Sequence, residues 1–133
     1  MFDEIARCGH SGVIAALTNG PAIALSAVLR FGSKELQQRV APSILLGEKF
    51  ISLAISEPNA GSDVARLSTF AERHGQYFVV TGNKKWITNG TYADFFVTAV
   101  RTSRDASGYH GMSLLLIDRK TSGFSIRYLL PLS

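Results

Sequence analysis

Two short segments carry the residues whose types and spacing could do chemistry. The first runs Leu53-Ala54-Ile55-Ser56-Glu57-Pro58-Asn59-Ala60-Gly61-Ser62-Asp63-Val64. The second runs Gly82-Asn83-Lys84-Lys85-Trp86-Ile87-Thr88-Asn89-Gly90. Gly, Ala and Ser let a backbone approach a flat or phosphorylated ligand closely. Trp86 adds a large aromatic face, and Thr88 a hydroxyl. Together they have the makings of one wall of a cofactor site. Pro58 forces Glu57 into an extended or turn conformation. Residues 59–63 then form a loop with several amides and two side-chain acceptors, a composition that can build an anion-binding nest. The same composition also makes a plain surface turn capped by Asp63. Trp86 has a second reading as a core or hairpin tryptophan. Lys84 and Lys85 read most simply as a solvated turn. Glu57, Asp63 and Asp94 are the carboxylates near these loops, and none has a neighbourhood that predicts a raised pKa.

No competing chemistry stands out elsewhere. His10, His74 and His110 lack metal-ligand spacing, and Cys8 is isolated. No Ser-His-Asp arrangement can be argued. As the single cysteine, Cys8 excludes an internal disulfide, fits a reducing compartment and reads as small buried filler on a helix. With 46% hydrophobic and 18% charged residues in 133, the chain has an ordinary globular composition, enough for one domain or part of a larger one. The net charge of +4 is spread out, with local clusters at Lys84-Lys85 and Arg101/Arg104. That suits attraction of a nucleotide or coenzyme A and lacks the clustered stripe that nucleic acid requires.

The elements that must position the two segments follow from periodicity. Residues 1–50 read as helical, with apolar residues recurring through 13–17 and 22–29. Residues 12–31 are apolar enough to raise the question of a membrane span. The turn-prone Asn19-Gly20-Pro21 at their centre argues instead for a buried helical pair or one kinked core helix. Gly32 is expected to end that segment as a left-handed cap, and Ser33 to cap the next helix with Glu35 in its first turn. Pro42 suits the start of a further short helix ended by Gly47. From Lys49 onward, β-type runs alternate with turns: 50–56, 67–73, 77–81, 86–88, 95–102, 112–118 and 124–129. The loop 102–111 is polar and expected to be exposed. The fold class expected is α+β: a helical N-terminal segment, then an antiparallel β-barrel or sandwich.

Taken together, the motifs resemble the acyl-CoA dehydrogenase family. The resemblance rests on residues 51–64, on 77–90, and on Ala93-Asp94 leading to residues 99–102. Residues 31–39 and 42–48 are similar to the preceding helices of that family, and 111–118 with 122–124 to its later strands. The Ser-Glu-Pro-Asn form is most similar to isovaleryl-type members. The resemblance implies that residues 1–50 end a helical N-terminal domain and that 51–133 form an incomplete middle β-domain. It implies oxidation of the Cα–Cβ bond of an acyl-CoA thioester. A carboxylate removes the α-proton, a hydride passes to flavin N5, and electrons pass to an electron-transfer flavoprotein. It implies FAD binding by Leu53, Ala54, Ile55, Ser56, Ser62, Trp86, Ile87 and Thr88. Ser56 would bond the isoalloxazine edge, Trp86 pack on the flavin, Thr88 bond near N5, and Ser62 also touch the CoA portion of the substrate. In the family a glutamate base lies on a later four-helix domain, so no catalytic residue is assigned here. The chain alone is expected to be inactive or nearly so, as a fragment of an oligomeric enzyme. The alternative is a non-catalytic module that binds flavin or CoA or associates with other subunits. Neither a membrane span nor nucleic acid is expected. The compartment would be the mitochondrial matrix in a eukaryote and the cytoplasm in a bacterium.

Overall fold

The computed structural model describes residues 2–104 and 108–127. Four helices come first: α1 (Phe2–Ala6), α2 (Ser11–Asn19), α3 (Ser26–Phe31) and α4 (Lys34–Leu45). Five strands follow: β1 (Ile51–Ala54), β2 (Phe70–His74), β3 (Tyr77–Thr81), β4 (Phe95–Arg101) and β5 (Met112–Asp118).

Helices α2 and α3 are joined without a break by a π-helical stretch, Gly20–Leu25. The expected turn at residues 19–21 is therefore a widened helix. Pro21 lacks an N–H and would crowd the carbonyl of the turn before it. The π geometry absorbs both faults without breaking the rod. Ser11–Phe31 is long and apolar enough, by length and composition, to cross a membrane. Ala24, Leu25 and Val28 are buried, whereas Val13, Leu17, Ile23, Leu29 and Phe31 are exposed. The expectation of a buried core helix thus holds for one side of the rod only.

The rod crosses the sheet at Gly20. A Cβ there would stand 2.7 Å from the Ile51 carbonyl oxygen, in the backbone of β1. Gly20→Ala is expected to cost about 1–3 kcal/mol as overpacking, read as a lower urea midpoint. An unchanged midpoint would show that the rod can back away from β1.

Gly32 is not a left-handed cap. Its backbone is extended (φ −75°, ψ 155°). The Gln37 side-chain amide donates to the carbonyls of Leu29 (3.0 Å) and Gly32 (2.9 Å), so the helix end is satisfied without a left-handed residue. Ser33 does cap α4, its hydroxyl accepting from the Leu36 N–H. Pro42 does not open a new helix. It sits inside α4 on an exposed position, where its ring costs one backbone bond and the helix continues to Leu45. Cys8 is exposed in the turn after α1 rather than buried on a helix, because α1 ends at Ala6.

The sheet corrects the expected barrel of antiparallel pairs. β4 pairs parallel with β1 (Ile51↔Phe95 to Ala54↔Thr98) and antiparallel with β5 along its whole length. β2 pairs antiparallel with β3 and meets β4 in parallel at Phe70↔Arg101. With β5 filling one edge of β4, β1 and β2 share the other. Residues 55–69 are the excursion between them. The hairpin β2–β3 and the loop after it form the crossover that a parallel β1–β4 pair requires. The sheet is mixed, and among the described residues no ladder joins β3 to β5 to close it.

Residues 86–88 are not a strand, because Trp86 has φ 60° and residues 88–92 turn. Of the expected strand at 124–129, residues 124–127 are irregular and the remainder lies outside the described residues. The 102–111 loop is exposed at Arg104 and at 108–110, while Thr102 and Ser103 are half-buried and 105–107 lie outside the described residues. β4 is buried from Phe95 to Val100, which explains its unbroken apolar run. Phe95 and Val97 face the helices with Leu25, Val40, Ile44 and Ile51. Phe96 faces the other way, onto Ala54, Ala93 and Phe124.

Candidate functional site

The site lies where the chain leaves β1 beneath the π-helical part of the rod. Leu53 is half-buried, Ala54 is buried on the opposite face, and Ile55 and Ser56 follow as irregular backbone. Residues 84–88 run alongside. The Lys85 N–H donates to the Ser56 carbonyl at 2.8 Å. The Ser52 hydroxyl donates to the Thr88 carbonyl at 2.8 Å. Asn89, at φ 60°, donates from its side-chain amide to the Ala16 carbonyl in α2. Its own carbonyl accepts from the N–H groups of Tyr92 and Ala93. A left-handed backbone suits Asn, and the bond to α2 fixes the turn to the rod.

These contacts enclose a cleft of about 290 Å³ lined by Leu53, Ile55, Ser56, Trp86, Ile87 and Thr88, with Asn19, Gly20 and Ile23 of the rod opposite. Trp86 is 72% exposed and lies beneath the Lys85 ammonium, 4.7 Å from its ring centroid, so the reading as a core tryptophan is wrong. Among the described residues, the hydroxyls of Ser56 and Thr88 make no protein hydrogen bond. Among the described residues, no carboxylate lines the cleft.

Two of the predicted site residues stand apart. The buried Ala54 side chain points to an open groove of about 900 Å³ on the other face of the sheet, with Phe96 and Thr98, and Trp86 and Ile87 line that groove as well as the cleft. Ser62 is exposed and does not line the cleft, although its neighbours Gly61 and Val64 do. The 57–60 loop spends two of its amides on itself, Glu57 N–H to Ala60 carbonyl and the reverse, leaving fewer for a nest. Asp63 precedes the single 3₁₀ turn Val64–Arg66 without a side-chain cap.

The sequence reading missed a buried ion pair behind the cleft. Lys84 Nζ lies 2.8 Å from Glu57 Oε1, with side chains 12% and 3% exposed, so Lys84 is no solvated turn residue. Lys84 also donates to the Ile55 carbonyl at 2.9 Å. Glu57 Oε2 accepts from the N–H (2.7 Å) and hydroxyl (2.8 Å) of Ser68, and Oε1 accepts from the Thr69 N–H (2.9 Å). Burial pushes the Glu57 carboxyl up, but the Lys84 ammonium and these donors outweigh it and hold the carboxyl at about 2. Burial draws Lys84 below the ordinary lysine range, and Glu57 opposes that only in part. The available signal was a glutamate held in place by Pro58. No local pairing rule links it to a lysine 27 positions away.

The family model for the acyl-CoA dehydrogenase middle domain matches residues 52–132. An acyl-CoA dehydrogenase of Alternaria alternata, AFT10-1, is 46% identical over 123 residues, covering 92% of this chain and 28% of that relative. A crystal structure of a probable acyl-CoA dehydrogenase from Mycobacterium abscessus is 44% identical with a TM-score of 0.88, covering 97% of this chain and 34% of that one. A structure titled as the FAD complex of PigA is 30% identical with a TM-score of 0.85, covering 90% of this chain and 31% of that one. The fold thus has its counterparts among acyl-CoA dehydrogenases. This chain belongs to the acyl-CoA dehydrogenase family, and it spans roughly a third or less of the length of these relatives.

Proposed function

We propose that this chain forms the flavin wall of an FAD-dependent acyl-CoA dehydrogenase. The observation that carries the reading is the cleft itself. It unites an exposed indole with two uncommitted hydroxyls over an apolar floor. Those features match a flat ring system with one apolar end and one polar edge. The cleft volume sits near the low end of small-molecule sites, about 300–1,000 Å³, and suits one ring system rather than a whole dinucleotide.

When bound, the flavin supplies the two-electron acceptor for oxidation of the Cα–Cβ bond of an acyl-CoA thioester. Trp86 would stack on the ring. The Ser56 and Thr88 hydroxyls would donate to its polar edge, where fixed donors favour added electron density. Leu53, Ile55 and Ile87 exclude water. Ala54 contributes its backbone alone, since its side chain is buried on the far face. Ser62, out on the loop, is placed for the cofactor's or substrate's extended phosphate-bearing part. Glu57 is not the base: a carboxyl held at about 2 and tied to Lys84 is a weak proton acceptor. With no carboxylate among the described residues lining the cleft, turnover by the 133-residue chain alone is expected to be nil or nearly so. Electron-transfer flavoprotein and further subunits belong to the same proposal.

Trp86 is the single tryptophan, so its fluorescence reports the cleft directly. Titration with FAD is expected to give saturable quenching and a yellow complex. Trp86→Ala, followed by flavin absorbance, is expected to weaken affinity about tenfold, close to 1.4 kcal/mol and in the range of a stacked aromatic pair. A colourless chain with no saturable quenching at millimolar FAD would sink the reading.

A further inference from the structure

We propose that the Glu57–Lys84 pair is the positioning element of the cleft, holding residues 55–56 and 86–88 at the separation a flat ligand needs. Neither segment belongs to a strand, so no ladder sets their spacing. Lys84 Nζ instead bridges the Ile55 carbonyl and the Glu57 carboxylate, on either side of Ser56. The same carboxylate is anchored to Ser68 and Thr69, which lead into β2. Lys84 itself lies two residues before Trp86, whose φ of 60° is unusual for a bulky side chain and persists only where its surroundings fix it. The Lys84 ammonium thereby adds a side-chain tie to the sheet beside the Lys85 N–H bond to the Ser56 carbonyl and the Ser52 hydroxyl bond to the Thr88 carbonyl. A buried pair of this kind is often no more stabilising than apolar residues of the same volume, so its presence here points to geometry over stability. Lys84 and Glu57 do not line the ligand face together with Ser56 and Thr88, and they act through Trp86 and Ser56.

The test uses the full chain with the Glu57→Gln/Lys84→Met double change. It removes both charges while the single amide oxygen introduced at 57 can still accept from the Ser68 N–H and hydroxyl, at the cost of the acceptor for the Thr69 N–H. The readouts are the anisotropy decay of Trp86 without ligand and the dissociation constant for FAD. The expected result is at least a doubling of the fast-motion amplitude of Trp86 and at least a tenfold weaker FAD complex. Val100→Ala, a buried change in β4 away from the cleft, serves as the destabilised control and is expected to leave both readouts near wild type. If the double variant does not fold, Glu57→Gln alone, which keeps the Lys84 bond to Ile55, is measured in its place. Wild-type anisotropy in the folded variant overturns the proposal, as does an equal change in Val100→Ala. The flavin role rests on the reading in the preceding section. If the unaltered chain binds no FAD, that reading fails, while the ligand-free anisotropy still decides whether the pair positions Trp86.

Discussion

Lys84→Met is expected to remove about 3–5 kcal/mol of folding stability at neutral pH, the usual result of leaving one partner of a buried ion pair uncompensated. The Glu57 carboxylate would stay buried, with the Ser68 and Thr69 donors still in place and its cation gone. Those donors put the expected value toward the lower end. The loss is a large part of the stability of a domain, about 5–15 kcal/mol in total. Urea unfolding at pH 7 and pH 4 separates the cause from simple loss of side-chain packing. Without Lys84 the Glu57 carboxyl binds a proton more readily, so the penalty should shrink at pH 4. An equal penalty at both values would assign it to the lost methylene packing of Lys84. The double change with Glu57→Gln should recover part of the stability, because no charge is then left unpaired although the Thr69 N–H loses its acceptor.

That pair also marks where sequence reading runs out. β3 and β5 were legible to the residue, because each is a compact apolar run bounded by turn residues. The Ser33 cap was legible because capping is local. The candidate cleft was legible in part. Leu53, Ile55, Ser56, Trp86, Ile87 and Thr88 do converge, on the strength of small-residue and aromatic composition in two segments. What failed was non-local or depended on a competing contact. Gly32 has no left-handed cap because Gln37, five residues on, reaches back to its carbonyl. The sheet is mixed because β4 returns beside β1 after a long excursion, and periodicity within a strand carries no record of its partner. Ala54 alternates to the far face, as any residue beside Leu53 in a strand must. Lys84 looked solvated because Gly82-Asn83 beside it is turn-like, and the acid that buries it lies in another segment.

Acid should destabilise this chain through Glu57. The Glu57 carboxyl is ordinarily near 4.5 and is held at about 2 in the fold. The folded state therefore binds fewer protons than the unfolded state between those values. The resulting stability is present in full above pH 4.5 and is lost as the pH falls toward 2. At about 1.4 kcal/mol per unit, the contribution is on the order of 3 kcal/mol. Denaturant unfolding from pH 6 down to pH 2 should show wild type losing about that much more than Glu57→Gln, which has no proton to take up at 57. Parallel curves for the two proteins would mean that Glu57 is not held low. In Lys84→Met the window should move to higher pH, because the cation that depresses the carboxyl is gone while the burial that raises it remains. Because the protonated acid no longer attracts the ammonium, the tie from Lys84 to the 55–57 segment weakens in the same window. Trp86 anisotropy should then fall with Glu57 protonation before the global transition, which places the loss of the cleft ahead of the loss of the fold.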